Sequence, residues 1–456
     1  MLDFQNLKNK KVTVMGLGLL GGGVETVRWL IKKGANILVT DLKKKSQLKE
    51  SLNKLKDFSI KYVLGEHCKK DFCGADLVIK NPAVPKESEF LKIARQNNIP
   101  IESDLSIFFR LFKGKIIGIA GTKGKSTTTT LISEIFKKAK KKFIFGGNIG
   151  QSPLIYLDKN YHLAVLEISS WQLEDMIHLK KSPNIAIVTT IFPDHLDRHK
   201  NFKEYIKAEK IIFKFQSQKD ILILNYDNQI TREFAKEAKS KVFYFSQKNL
   251  SHKKGLFIKG KKIFFRDQKE KEILSLDEIK NKQNLGNTLA AILTACLSDV
   301  SPKIIKKVLK DFKGLPNRLE LIRVAYRVKY YNDTTATIPE ATINALFSFP
   351  AKKIILISGG ADKKLNFKKF AQEVKKRCKA VILLPGTATK KIEKELLVIG
   401  YKLLVKVRNM KEAVSQASKI AKSGEIVLLS PGCASFGIFQ NAYERAKEFI
   451  KAVKKL

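Results

Sequence analysis

The sequence predicts an α/β protein of three domains. Two segments, beginning at Lys11 and at Lys115, each run from an apolar strand through a glycine-rich turn into a helix. Apolar strand-like runs then alternate with helix-like segments toward the C-terminus, as an α/β sheet requires. A length of 456 residues accommodates about three domains at ~150 residues each.

In the first domain, a strand over Lys11–Met15 enters Gly16-x-Gly18-x-x-Gly21, followed by a helix over Glu25–Lys33. A second strand, Asn36–Thr40, ends at Asp41. An acidic residue ~20 positions beyond the glycines belongs to a dinucleotide-type βαβ unit. The glycine pattern alone is weak, but strand, helix and Asp41 together point to a Rossmann-like nucleotide site. A strand over Asp76–Ile79 leads to the turn Asn81–Pro85, placed to line the same crevice. A short strand, Ile99–Glu102, closes the domain, with the boundary near Arg110–Lys113.

The second domain opens with Lys115–Ala120 and the loop Gly121-Thr122-Lys123-Gly124-Lys125-Ser126-Thr127-Thr128, with a helix running to Lys138. Backbone N–H groups turned inward, a helix dipole and missing Cβ atoms suit this geometry to a nucleoside triphosphate. Lys125 would reach the β/γ-phosphates and the Ser126 hydroxyl would sit on Mg²⁺. The loop is the short form Gly-x-x-Gly-Lys-Ser, since Ile119 stands where a longer loop has its first glycine. A plain basic turn is the alternative, and the strand–loop–helix context outweighs it.

Further strands are expected at Leu163–Ile168, Ile185–Val188 and Ile221–Asn225, with helices at Phe202–Phe213 and Asn287–Ser298. Short alternating pieces between Ser246 and Leu274 suggest an antiparallel ribbon. The third domain starts near Gly314-Leu315-Pro316, with strands at Lys353–Ser358, Ala380–Leu384 and Glu425–Leu429. The division is thus 1–111, 112–313 and 314–456.

The charge is +44, from 87 Lys+Arg against 43 Asp+Glu. Nucleic-acid binding is one reading. The lysines are spread end to end, however, and no aromatic-interleaved basic stripe is present. General drift toward lysine fits better, and a basic surface would still attract a polyanionic small substrate. No apolar run approaches the ~20 residues that span a bilayer. The polar N-terminus is unlike a signal peptide. Five scattered cysteines fit free thiols in a reducing cytoplasm.

Other positions could carry chemistry. Glu167, closing an apolar strand, stands where a phosphate-loop enzyme places a second Mg²⁺ contact; capping the next helix is its alternative. His195 follows the strand Ile185–Val188 toward the ligand crevice, and helix capping is an equal alternative. Lys210 on sequence physics alone belongs to a solvated helix face. In the third domain Asn332–Thr337, Gly359–Lys363 and Ser430–Ser435 each follow a strand and mix small with polar residues. They suit a second substrate or serve as ordinary turns.

Together these motifs resemble the Mur ligase family of peptidoglycan synthesis, in order and over nearly the whole chain. The resemblance rests on the phosphate loop, Gly146-Gly147-Asn148-Ile149-Gly150 and Leu166-Glu167-Ile168-Ser169-Ser170-Trp171-Gln172-Leu173-Glu174. It rests also on Asp194-His195-Leu196-Asp197-Arg198, Asn284-x-x-Asn287 and Gly314-Leu315-Pro316-Asn317-Arg318-Leu319-Glu320. The fold it implies is a Rossmann-like UDP-binding domain, a central P-loop mononucleotide-binding domain and a C-terminal Rossmann-like domain. The activity it implies is ATP-dependent addition of D-glutamate to UDP-N-acetylmuramoyl-L-alanine through an acyl phosphate, in the cytoplasm, by a monomer.

Carried over by residue, Gly121 to Thr127 would hold ATP with Asn284, Arg318 and Asp333. Ser126, Glu167 and His195 would meet two Mg²⁺ ions. Lys210 matches a lysine carbamylated by CO₂, which would turn a cation into a metal-binding anion. In that case Lys210→Ala should be rescued by short carboxylic acids. Gly18, Leu19, Leu20, Asp41 and Asn81 would grip the uridine diphosphate, and Asn148 and Ser169 the muramoyl substrate. Thr337, Lys363 and Ser435 would hold the incoming glutamate.

Departures fall mainly around the amino acid. Gly437 replaces an acidic residue, Ala442 an aromatic, Thr335 a lysine and Ala446 a glycine; elsewhere, Leu20 replaces a threonine and Gln283 a histidine. A ligase adding another amino acid, such as L-glutamate, is the main rival. A folylpolyglutamate-type enzyme is disfavoured by the N-terminal domain. A nucleic-acid-stimulated ATPase lacks any base-reading module, so neither stable nucleic acid nor membrane is an expected partner.

Overall fold

The computed structural model describes residues 2–456 except Leu20, Gly150, 195–197, 283–284 and Gly437. It divides into two compact units. The first comprises Met1–Ile191, Ile206–Ile279 and Gly286–Lys310; the second comprises Phe192–Tyr205, Lys280–Leu285 and Asp311–Leu456.

The first unit carries two sheets. Strands β1 (Lys11–Met15), β2 (Asn36–Asp41), β3 (Lys61–Leu64), β4 (Leu77–Lys80) and β5 (Ile101–Glu102) form a parallel sheet ordered β3-β2-β1-β4-β5. Four of the five residues of β1 are buried, because helices cover both faces of such a sheet. Strand order reverses between β1 and β4, and ligand crevices open at the carboxyl ends of strands at such switch points.

The second sheet holds β6 (Lys115–Ala120), β7 (Ile144–Gly147), β8 (Leu163–Glu167), β9 (Ile185–Val188), β10 (Ile221–Asn225), β11 (Lys241–Ser246), β12 (Gly255–Lys259), β13 (Lys262–Arg266) and β14 (Glu270–Ser275). Its order is β14-β13-β12-β11-β10-β9-β6-β8-β7. The expected ribbon is present: β12, β13 and β14 pair antiparallel, and β12 joins the sheet parallel to β11. Strand β6 lies between β8 and β9, so the chain leaves its carboxyl end at a second switch point.

The second unit is built on β15 (Glu320–Ala325), β16 (Val328–Asn332), β17 (Ile354–Ser358), β18 (Cys378–Leu383), β19 (Leu404–Lys406) and β20 (Ile426–Leu429). The order is β15-β16-β20-β17-β18-β19, parallel except for the β15–β16 hairpin. Alternation along β17 sends Ile354 and Leu356 into one core and Ile355 and Ile357 into the other. Both faces are therefore covered, and the strand appears in sequence as an unbroken apolar run.

The helix after the phosphate loop spans Lys125–Lys138. Its run of threonines has poor helix propensity, but Thr127, Thr128 and Thr129 are buried and tertiary packing prevails. Of the described residues, no helix is long and apolar enough to cross a membrane.

Candidate active site

The phosphate loop is held in shape by its neighbours. Gly121 and Gly124 adopt φ of +116° and +96°, a region that side chains with a Cβ rarely enter. A Cβ on Gly121 would stand 2.5 Å from Thr189 Oγ1, and one on Gly124 would stand 2.2 Å from Asn287 Oδ1. Thr189 Oγ1 donates to Lys123 O at 2.7 Å, Thr190 Oγ1 to the same oxygen at 3.0 Å, and Thr122 N to Thr190 O at 2.7 Å. The segment leaving β9 thus clamps the loop. Lys125 folds its ammonium over it, donating to Gly121 O at 2.6 Å. Ser126 follows in the first turn of the helix and Thr127 is buried beneath it.

Two carboxylates border this loop. Glu167 ends β8 opposite Ile119, two residues before Gly121, and is 3% exposed. Its Oε1 accepts from Asn148 Nδ2 at 2.6 Å, whereas its Oε2 is buried with no hydrogen-bond partner among the described residues. An orphaned anionic oxygen beside a cradle that any Cβ would fill suits a hard cation carried by a nucleotide. Glu209, in the helix Phe202–Lys214, is 1% exposed and its Oε2 accepts from Gly121 N at 2.9 Å. Lys210 is placed elsewhere: its ammonium pairs with Glu237 and lies 5.1 Å from the Phe234 ring centroid. His195 and Asn284 lie outside the described residues, as does Leu20.

Asn148 is therefore a partner of Glu167, its own N–H also donating to Glu167 O at 2.8 Å. Ser169 caps the helix Ser170–Met176 in a reciprocal box with Gln172, which engages its hydroxyl locally.

At the β1–β4 switch point, Asp41 Oδ2 accepts from Gly18 N at 3.2 Å and its Oδ1 from Lys43 N at 2.9 Å. A Cβ on Gly16 would approach Asn81 Cβ to 2.9 Å, and one on Gly18 would approach Asn81 Nδ2 to 3.3 Å. Gly18, Asp41 and Asn81 are thus gathered at one strand end, with Leu19 half exposed beside them. The arrangement suits a diphosphate-bearing ligand.

In the second unit the adjacent strands β16, β20 and β17 bring three loops together. Ala361 and Ala434 bridge, with Ala361 N donating to Ala434 O at 2.9 Å. Gly432 N donates to Ala336 O at 2.9 Å, and Ser430 Oγ to Asp333 Oδ2 at 2.8 Å. Fully buried Arg445 ties them: its Nε and Nη2 donate to Thr334 and its Nη1 to Cys433 O at 3.3 Å. Burial lowers its pKa to about 10, which leaves it cationic at neutral pH. Thr337, Lys363 and Ser435 lie on these three loops, and Lys363 Nζ reaches Asp194 Oδ1 at 3.0 Å. Asp333 Oδ1 accepts from the N–H of Leu319, which has a strained φ of +48°, next to the half-buried Arg318.

Sequence comparison matches residues 119–295 to the Mur ligase middle domain, 10–103 to the Mur ligase MurD-like N-terminal domain, and 317–433 to the Mur ligase glutamate ligase domain. The chain belongs to the Mur ligase family. It is 41% identical over 462 aligned residues to the UDP-N-acetylmuramoylalanine–D-glutamate ligase of Roseiflexus sp. strain RS-1, covering 98% of this chain and 99% of that one. Its identity to the enzyme of the same name from Caldanaerobacter subterraneus subsp. tengcongensis is 38%, covering 99% of both chains. In fold, this Mur ligase is similar to UDP-N-acetylmuramate-alanine ligase from Thermotoga maritima, at a TM-score of 0.62 and 19% identity over 98% of this chain and 100% of that one. A pseudomurein peptide ligase type C from Methanothermus fervidus gives 0.60 at 19%, with the same coverage.

Five residues that shape this Mur ligase's sites were given no role by sequence reasoning. Glu209 sits beside the lysine that was, and its apolar neighbours Ala208, Ile211 and Ile212 are the signal that its side chain faces inward. Thr189 and Thr190 follow β9, where loop-clamping residues belong. Asn287 stood in a quoted motif without a role. Arg445 entered only as the arginine preceding Ala446, where the family has Arg-Gly, without a role.

Proposed function

We propose that this Mur ligase joins D-glutamate to UDP-N-acetylmuramoyl-L-alanine with ATP, making a cytoplasmic peptidoglycan precursor. The observation that carries the reading is the end-to-end identity to ligases bearing that name, over a chain with a preshaped phosphate loop. The domains then fall at 1–111 for the UDP-sugar, 112–313 for ATP and 314–456 for the amino acid.

In this scheme the substrate's terminal carboxylate attacks the γ-phosphorus in line, ADP departs, and an acyl phosphate forms. The amine of glutamate then attacks the acyl carbon, orthophosphate leaves, and the nitrogen gives up its proton to solvent. Lys125 and the loop N–H groups hold the phosphates and offset charge gathering on the transferred group. Ser126 and Glu167 would hold magnesium, with His195 as a further ligand of a two-ion arrangement; when bound, the metal neutralises phosphate oxygens. Gly18, Asp41 and Asn81 would orient the diphosphate, while Thr337, Lys363 and Ser435 would receive the amino acid. Lys210, once carbamylated by CO₂, would add an anionic oxygen ligand to the two-ion arrangement.

The test offers the purified chain ATP, Mg²⁺ and UDP-N-acetylmuramoyl-L-alanine with each candidate amino acid separately, and detects the conjugate by mass. D-Glutamate alone should be joined, and Lys125→Ala should abolish phosphate release. Conjugation of L-glutamate instead would move the assignment to another ligase of the family, a result the changes at Gly437, Ala442 and Thr335 make worth measuring.

A further inference from the structure

The loops carrying Thr337, Lys363 and Ser435 leave the carboxyl ends of β16, β17 and β20. At the opposite end of the same sheet, where β17, β18 and β19 begin, lies a cavity of about 340 Å³. Lys352, Lys375, Lys379 and Lys402 line it, together with Tyr401 and Leu403. Of these lysines only Lys379 has a carboxylate partner among the described residues, Glu425 at 2.8 Å. Lysines often cap helix ends, and two of these do. Lys352 Nζ donates to Lys375 O in the last turn of the helix Lys368–Arg377, and Lys375 Nζ donates to Ile399 O, just past the helix Thr387–Val398. Each helix end carries about half a negative charge, so with Glu425 the two ends offset about two of the four cations. The cavity keeps a positive excess.

Its rim is also apolar. Phe347, Leu397, Val398 and Leu403 are 56%, 58%, 72% and 41% exposed. Gly400 N donates to Leu397 O at 2.9 Å and Lys352 N to Arg377 O at 2.6 Å, while the Arg377 guanidinium lies 3.5 Å from the Phe347 ring centroid. Single exposed apolar side chains are ordinary, but four around one basic hollow differ from a solvated lysine face. A small anion would satisfy the ammoniums and leave those four side chains in water. Nucleic acid would want ring faces for stacking, and of the four only Phe347 is aromatic, its ring already beside Arg377. An anionic lipid surface satisfies both features, since headgroup phosphates meet the lysines and the interface receives the apolar side chains. The patch is assembled from three separate segments, so no apolar run marks it in the sequence.

We propose that this end of the second unit docks peripherally on an anionic membrane, with a lipid phosphate entering the cavity and Phe347, Leu397, Val398 and Leu403 dipping into the interface. Docking there leaves the loops at the opposite strand ends uncovered.

The experiment sediments the full-length protein with vesicles of phosphatidylglycerol and phosphatidylcholine, and with vesicles of phosphatidylcholine alone. A chain of +44 adheres somewhat to any anionic surface, so the site is read from variants. Lys375→Gln with Lys402→Gln should weaken partitioning about twentyfold, at about fivefold per lysine. Leu397→Gln with Val398→Gln should weaken it by about tenfold or more with the charge unchanged. Lys138→Gln with Lys142→Gln, an exposed pair in the other unit, should stay within about twofold of wild type. Far-ultraviolet circular dichroism checks each fold, and Leu403→Gln replaces the apolar pair should that pair misfold. Equal binding to phosphatidylcholine alone, equal losses in the Lys138 and Lys142 control, or full binding after the apolar substitutions overturns the proposal. So does a calorimetric signal for inorganic diphosphate that the Lys375 and Lys402 variant loses, in a protein that ignores vesicles; the cavity would then belong to a small anion.

Discussion

Gly124 shows how a single hydrogen atom in place of a side chain shapes the site. Its φ of +96° costs an L-residue about 1–2 kcal/mol, and a methyl group there would overlap Asn287 Oδ1. Gly124→Ala should therefore weaken ADP binding by about tenfold or more, while the far-ultraviolet circular dichroism stays unchanged; calorimetry measures it. His67 offers a residue-level pH signal. It is half-buried, 2.7 Å from Thr40 Oγ1, and burial holds its pKa below the ordinary 6.5 despite the opposing influence of Asp41. Below that ordinary value the unfolded chain gains a proton that the folded ring resists, so stability falls as pH drops and recovers as pH rises. His67→Gln should flatten the urea midpoint between about pH 5 and 7; an unchanged slope would assign the acid sensitivity to other groups.

At the scale of elements, β4 meets the helix Ser170–Met176 through Lys80, whose ammonium touches both oxygens of Asp175 at 2.6 and 2.7 Å. Lys80 is 5% and Asp175 10% exposed. Lys80→Ala would take the cation from a buried carboxylate and should cost about 3–5 kcal/mol in denaturant unfolding, whereas Lys80→Met with Asp175→Leu should cost far less. What was legible in the sequence divides along the same lines. Strands β1, β9 and β10 begin and end where the sequence places them, because polar or turn residues bound their apolar runs. The phosphate loop was equally legible, its spacing being imposed by local backbone geometry. Strands β3 and β19 were missed: they are short, part-exposed edges that carry little apolar signal. The inward turn of Glu209 was illegible for a different reason. Helix rotation is fixed by what Tyr205, Ala208 and Ile212 pack against, and a one-residue difference lies below what motif spacing resolves. The Ser169 hydroxyl, in a motif the sequence marks, also caps its own helix.

For the molecule as a whole, a charge of +44 on 456 residues means self-repulsion that added salt should relieve. Raising NaCl from about 50 to about 500 mM should raise Tm by several degrees, since exposed charges farther apart than a Debye length become screened. A flat or falling Tm would mean that the lysines are already compensated pairwise. Two of the thiols take no part in this balance: burial pushes Cys296 and Cys433 up to about 12, well out of reach of thiolate chemistry at neutral pH.

Arg445 fastens the 332–337 and 430–435 segments from below, and the Ala361–Ala434 bridge draws the 358–363 segment into the same assembly. None of the three can be remodelled independently of that guanidinium. In the proposed reading, where these segments receive the amino acid, evolution or engineering toward a different one would have to change them as a set, and a solitary swap at one position would be felt across all three.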